Sequence, residues 1–242
     1  MIAVVDYGVG NLYSLTCSLR HIGAQCTVTR EENALRAADR IILPGVGAFG
    51  DAAEKLHALR LDALLRDLAG QGKPLMGICL GMQMAIVEFA RHVLGYEDAN
   101  SIELDPATKH PVIALMPDQE SVEDLGGTLR LGSYPCVLAD SSRALELFGK
   151  KEIQERHRHR YEVNNAYREE LAAKGMTIAG TSPDGHIVEM IEIKDHPFYE
   201  GTQGHPEFKS RPNHAHPLFR GFVKAADEYA KLKLSRQAQN QE

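Results

Sequence analysis

Hydrophobic and polar positions follow two textures along the chain. In the first third, short uninterrupted apolar runs alternate with stretches in which apolar residues recur every three to four positions. Ile2 to Asp6, Gln25 to Thr29, Arg40 to Leu43 and Pro74 to Ile78 are the short runs, of the kind buried on both faces in a parallel sheet. Leu12 to Ile22 (closed by Gly23), Glu31 to Ala38, Asp51 to Leu59, Leu61 to Ala69 and Met82 to Leu94 carry the helical period. This alternation with short connections predicts an α/β fold, an open, mostly parallel, twisted sheet flanked by helices. Ligands in such sheets sit at the carboxyl ends of the strands, where Asp6-Tyr7-Gly8, Pro44–Gly50 and Cys79 fall.

After Leu94 the texture changes. Ala99 to Asp124 is polar and proline-containing and reads as a long loop with a strand at Val112–Leu115. Gly127–Leu138 and Glu152–Val163 alternate as strands of an antiparallel extension, and Ala166–Ala173 is a helix stopped by Gly175. Met176–Thr181, His186–Ile193 and Phe198–Gln203 are further strands, with Ser182-Pro183-Asp184-Gly185 as a hairpin turn. Phe219–Leu234 reads as a closing amphipathic helix and residues 235–242 as a polar tail. No repeat or linker interrupts the pattern, so a single domain over residues 1–234 is expected.

Composition narrows the class. The 242 residues are 43% hydrophobic and 25% charged, which suits a globular protein. With 33 acidic against 27 basic residues the formal charge is −6, which offers no basic footprint for nucleic acid. No apolar stretch reaches membrane-spanning length, and Met1-Ile2-Ala3-Val4-Val5-Asp6 lacks the basic start of a signal peptide. The four cysteines, at 17, 26, 79 and 136, form no C-x-x-C pair, so a reducing, cytoplasmic setting is expected.

The candidate chemistry centres on Gly77-Ile78-Cys79-Leu80-Gly81-Met82-Gln83. A cysteine between a strand and a helix, with glycines two residues to either side, is the thiol version of the G-x-S-x-G elbow. A helix N-terminus stabilises negative charge and favours a thiolate there. A buried structural cysteine has the same local pattern. Gly45-Val46-Gly47-Ala48-Phe49-Gly50 fits a dinucleotide loop, a loop whose backbone N–H groups meet an oxyanion, or a plain turn. The dinucleotide reading lacks a second, acid-ended strand at the usual distance. His205, in Gln203-Gly204-His205-Pro206-Glu207, follows an apolar strand and could serve as a base, with Glu207 holding its tautomer. A solvated loop pair is the plain alternative. His157/His159 and His214/His216 could each offer two ligands from one strand face, but no third ligand has a fixed spacing, so no metal is expected. The run Arg156, Arg158, Arg160 is either a solvated strand face or an anion clamp.

Taken together, the elbow at 77–83, the glycine loop at 45–50 and His205-Pro206-Glu207 resemble a class I (triad) glutamine amidotransferase, a flavodoxin-like fold. The resemblance implies that Cys79 attacks the side-chain amide of L-glutamine, His205 shuttles protons and Glu207 orients His205. A thioester would then be hydrolysed to glutamate and ammonia, without a cofactor, and the ammonia handed to a synthetase domain or a cyclase subunit. It also implies that Gly45, Val46, Gly47 and Leu80 line the reacting amide. Gln83, Glu103 and Arg160 would hold the amino-acid head, a carboxylate meeting its ammonium and a guanidinium its carboxylate, and Tyr161 would also belong to the substrate site.

Two branches of that family are resembled. Residues 1–83, with Asp6-Tyr7-Gly8-Val9-Gly10-Asn11-Leu12 and Leu43-Pro44-Gly45-Val46-Gly47-Ala48-Phe49-Gly50-Asp51, look like the glutaminase subunit of imidazole glycerol phosphate synthase. Residues 77–230 look like the glutaminase domain of CTP synthase, through stretches such as Asn100-Ser101-Ile102-Glu103, Glu155 to Asn164 and His205 to Pro212. The resemblance changes at residues 77–84, the motif both branches share, which suggests a recombined or engineered chain. The glycine loop is longer than in CTP synthase, and no G-x-x-x-x-G-K-[ST] occurs, so this chain alone is not expected to make CTP.

Overall fold

The computed structural model describes residues 1–115, 130–211, 213–225 and 229. Strand β1 (Ile2–Val5) lies between β2 (Cys26–Thr29) and β3 (Arg40–Leu43), parallel to both, and β4 (Leu75–Ile78) continues the parallel run beside β3. The intervening helices are α1 (Leu12–His21), α2 (Glu32–Ala37), α3 (Phe49–Ala58), α4 (Leu61–Gly70) and α5 (Leu80–Phe89). Helix α1 starts where the Asn11 side chain accepts from the Ser14 N–H, and stops before Gly23, whose φ of 78° few other residues adopt.

Because successive strand side chains point to opposite faces, the apolar runs feed two cores. Ala3, Val5, Ile41 and Leu43 pack with Phe49, Leu56, Leu65 and Met84 on one face. Ile2, Val4, Ile42 and Met76 pack with Leu15 and Leu19 of α1, and with Phe219 and Phe222 of helical residues 217–225, on the other. Every side chain of β1, β3 and β4 is buried, as a sheet covered on both faces requires.

The rest of the chain supplies β5 (Asn100–Ser101), β6 (Pro111–Leu115), β7 (Arg130–Leu138), α6 (Arg143–Phe148), β8 (Glu152–His159) and β9 (Tyr161–Val163). These are followed by α7 (Arg168–Ala173), β10 (Met176–Thr181), β11 (Val188–Ile193) and β12 (Tyr199–Thr202). One nine-stranded sheet runs β2-β1-β3-β4-β12-β11-β10-β7-β8, parallel as far as β12 and antiparallel beyond; β5-β6-β9 form a second, small sheet. The late strand β12 inserts beside β4, and this insertion governs the site. Among the described residues no helix is long and apolar enough to cross a membrane.

Several elements differ from the sequence reading, which did not anticipate β5 or α6. Helix α5 begins at Leu80 rather than Met82, directly after the elbow, and its end widens into a π-helical turn, Ala90–Leu94, closed by Gly95 at φ 81°. The stretch Glu152–Val163 is two strands, because the chain changes sheets at Arg160. His159 pairs with Arg130 in the large sheet, whereas Tyr161 pairs with Leu115 in the small one. The helix expected at Ala166–Ala173 opens with a 3₁₀ turn, Asn165–Tyr167. Residues 116–129 of the loop and of the first part of the expected strand 127–138 lie outside the described residues. So do most of the closing helix beyond residue 225 and the polar tail 235–242.

Candidate active site

Cys79 sits between β4 and α5 with φ 52° and ψ −106°, one of two described non-glycine residues with positive φ. A backbone of this kind costs on the order of 1–3 kcal/mol and survives only where its surroundings over-determine it. The flanking glycines provide that. A Cβ on Gly77 would lie 2.6 Å from the Gly81 carbonyl oxygen, and one on Gly81 would lie 2.3 Å from that of Leu43. The Cys79 N–H donates to the Thr202 carbonyl at 2.7 Å, and its own carbonyl accepts from Met82 N at 2.9 Å.

The pairing of β4 with β12 brings the second half of the site. The two strands are parallel, with Ile78 opposite Thr202, so both leave the sheet at the same edge. The chain that continues past Thr202 therefore runs beside Cys79. His205 N–H donates to Arg156 O at 2.8 Å, and a 3₁₀ turn, Pro206–Phe208, folds Glu207 back under the ring. His205 Nδ1 and Glu207 Oε1 are 2.9 Å apart, both side chains buried, and the Phe208 ring stacks on the imidazole at 4.9 Å. Burial alone would push His205 down. The Cys79 thiol and the Glu207 carboxylate outweigh it through hydrogen bonding and charge, and raise His205 to about 10. A buried imidazole set between a thiol and a carboxylate is the arrangement that results, and its Nε2 makes no hydrogen bond among the described residues.

The glycine loop packs against the elbow. A Cβ on Gly45 would lie 2.5 Å from Leu80 Cβ and 2.9 Å from Gly81 N, so only glycine permits this approach. Val46 is half-buried, and Gly47 is exposed with φ 98°. Tyr7 ties the loop down from below, its hydroxyl donating to Pro44 O at 2.5 Å. Burial and the nearby Cys79 charge both raise the Tyr7 phenol, which keeps it a donor.

Glu103 follows β5 and reaches across to accept the Phe49 N–H at 3.0 Å, capping α3 just beyond the glycine loop. Burial raises the Glu103 carboxyl, while the Phe49 N–H and the Arg160 charge pull the other way. Burial and the Glu103 charge raise the Tyr161 phenol, so Glu103, Arg160 and Tyr161 share one neighbourhood. Gln83 joins them through Nε2, which donates to Tyr161 O at 2.8 Å. Arg160 Nε is buried without a hydrogen-bond partner among the described residues. The arginine run is thereby divided, with Arg156 and Arg158 exposed on β8 and Arg160 turned inward at the change of sheet.

The histidine pairs have other partners. His157 and His159 face inward, next to Glu189 at 3.3 Å and Glu162 at 2.5 Å, with Arg130 bridging to Glu189 at 2.5 Å. Burial pushes His157 down to about 2 and His159 to about 3, the Arg130 charge adding to both, while burial lifts Glu189 to about 8. His216 is buried against Glu155, whereas His214 is exposed, so that pair shares no face. Among the described residues no group of three His, Cys, Asp or Glu side chains is set to hold a metal. Sequence reasoning also missed Tyr7 and Gln203, whose Nε2 lies 3.5 Å from Cys79 Sγ. The only signal for Gln203 was its closeness to His205 along the chain.

A thiol on a strained turn, near an imidazole–carboxylate pair and faced by a glycine loop, suits nucleophilic acyl transfer, and comparison with known proteins gives the family. The family model for class I glutamine amidotransferases matches residues 3–225, and the chain belongs to that family. CTP synthase of Pelotomaculum thermopropionicum is 51% identical over 206 residues, 84% of this chain. That of Clostridium beijerinckii is 52% identical over 199 residues, 82% of the chain. The chain spans about 37% and 36% of the length of these relatives. Among solved structures, the glutaminase domain of Trypanosoma brucei CTP synthase, with bound acivicin, superposes with a TM-score of 0.80 at 28% identity, covering 94% of this chain and 93% of that domain. A putative GMP synthase component from Thermoplasma acidophilum shares the fold at a TM-score of 0.67 and 20% identity, with 96% of each chain covered. One solved domain thus spans both the first 83 residues and the remainder, and recombination is not needed to account for the chain.

Proposed function

We propose that this chain hydrolyses L-glutamine to glutamate and ammonia through Cys79, His205 and Glu207. The observation that carries the reading is the convergence of an elbow cysteine and a buried histidine–glutamate pair on one sheet edge. Cys79 attacks the side-chain amide carbon, and backbone N–H groups of Gly45–Gly47 and Leu80 meet the oxyanion. The His205 imidazolium protonates the leaving nitrogen, so ammonia departs and a thioester remains. Water then attacks the thioester as His205 takes its proton, and glutamate leaves as the thiolate re-forms. Glu207 holds the ring in one orientation and balances its charge. Glu103 takes the ammonium of the substrate and Arg160 its carboxylate, with Gln83 and Tyr161 closing the pocket; the unpartnered Arg160 Nε supports this assignment. No step calls for a cofactor.

Ammonia passes to a partner, and a CTP-type synthetase domain is favoured because relatives about half identical to this chain are CTP synthases of greater length. One domain over residues 1–234 is the matching reading, supported by strands from both halves sharing a sheet. Four unpaired cysteines support a reducing, cytoplasmic setting. The test is glutamate release from glutamine by the chain and by Cys79→Ala, alone and with a synthetase domain or a cyclase subunit. Release that depends on Cys79 and rises with the synthetase is expected. Equal rates in the two proteins refute the triad, stimulation by the cyclase alone reassigns the partner, and failure of a glutamine-directed electrophile to label Cys79 marks a silent binding module.

A further inference from the structure

A fourth buried side chain touches the sulfur. Gln203 follows β12, is 0% exposed, and its backbone N–H is held by the Glu189 carbonyl at 2.8 Å. Its Nε2 lies 3.5 Å from Cys79 Sγ, and its oxygen accepts from Gln83 Nε2 at 3.0 Å. The two ends of an amide are nearly isosteric, so the direction of such a bond has to come from its partners. Here a backbone supplies it. The carbonyl of Tyr161 can only accept, so the end of Gln83 that meets it at 2.8 Å is the nitrogen. The second N–H on that nitrogen then faces Gln203, whose oxygen must turn to receive it. The NH₂ of Gln203 is thereby directed at Cys79.

We infer that Gln203 is a further catalytic residue, whose amide N–H donates to the Cys79 sulfur and stabilises the thiolate, with Gln83 and the Tyr161 carbonyl fixing the direction of the bond. The inference rests on the proposed role of Cys79. An anion in a buried site has few waters to solvate it, and a hydrogen bond to a charged acceptor is about twice as strong as one between neutral groups. Gln203 provides such a contact from outside the His205–Glu207 pair, whose own hydrogen bond runs through His205 Nδ1. The same donor assists the second half of the reaction, in which sulfur leaves the thioester as an anion.

The test reads Cys79 without glutamine, so it stays distinct from the glutaminase assay. Carboxamidomethylation of Cys79 by iodoacetamide is followed by peptide mass spectrometry in the full chain and in Gln203→Met, at about pH 7 and about pH 10. Gln203→Met is expected to react about tenfold more slowly at the lower pH, with the difference closing at the higher one, where a thiol ionises unaided. Gln203→Glu, which retains the shape but turns an acceptor toward the sulfur, is expected to slow it further. Equal rates at neutral pH, or the same loss at both pH values, overturns the inference. If Gln203→Met does not fold, the Gln203→Glu titration decides by the same criteria.

Discussion

Replacing Gly81 by alanine tests whether the elbow and the glycine loop form one rigid unit. The new Cβ would lie 2.3 Å from the Leu43 carbonyl oxygen and 3.3 Å from its carbon. A comfortable carbon–oxygen contact is about 3.3 Å, so about 1 Å of separation has to be found. Neither side yields easily. Leu43 is held opposite Gly77 in the β3–β4 ladder, and the first turn of α5 is pinned by two N–H groups on the Cys79 carbonyl, from Met82 at 2.9 Å and Gln83 at 3.3 Å. The clash therefore pushes the end of β3 away from α5 and takes the Gly45 backbone with it. Overpacking of this kind costs about 1–3 kcal/mol, which lowers the melting temperature of a chain this long by roughly 2–12 °C. A 1 Å displacement of a catalytic group costs about 10²-fold in rate. Gly81→Ala is thus expected to melt a few degrees lower yet to lose about two orders of magnitude in kcat for glutamine hydrolysis, measured at a temperature where it is fully folded. A variant with wild-type turnover refutes the reasoning, as does one whose activity loss is matched by its unfolded fraction.

Two further substitutions probe the charges. Glu207→Gln removes the carboxylate 2.9 Å from His205 and is expected to lower kcat by two to four orders of magnitude with little change in KM. Ring NMR should show His205 titrating well below its value of about 10, and an unmoved titration would exclude Glu207 as a cause of that elevation. Glu189 is held at about 8 by burial, against an ordinary value of 4.5, so the folded chain keeps a proton there that the unfolded chain has lost. Its contribution to stability is complete below about pH 4.5 and is lost as the pH rises through about 8. Glu189→Gln, neutral at every pH, should flatten the fall in melting temperature between those limits, and an unchanged slope would assign that fall to other groups.

The parts of this protein that could be read from its sequence are those governed by near neighbours. Strands β1, β3 and β4 are apolar throughout because a two-sided parallel sheet leaves no position for a polar residue, and the runs at Ile2, Arg40 and Pro74 carry that mark. The turn at Cys79 was legible because its two glycines stand at fixed offsets from it, although only Gly77 is required by near neighbours and Gly81 is required by Leu43 on the adjacent strand. The break of Glu152–Val163 was not legible, because an alternating pattern continues unchanged when a strand moves from one sheet to another. Nor were the partners of His157 and His159 legible, because Arg130, Glu162 and Glu189 come from other strands.

What the sequence determined alone was the order of strands and helices as far as α5, the glycines that allow a strained turn, and which residues had chemistry to offer. Only the tertiary structure decided that β12 lies against β4, and with it that Gln203 reaches Cys79 and that the paired His205 and Glu207 lie nearby. It likewise decided that Glu103 caps the helix beyond the glycine loop, and that Arg160, not Arg156 or Arg158, turns inward. The division has a physical cause. Side-chain periodicity and the spacing of a turn's glycines leave their mark on adjacent letters, whereas strand insertion is chosen by the burial of whole faces and brings together residues that no local rule connects.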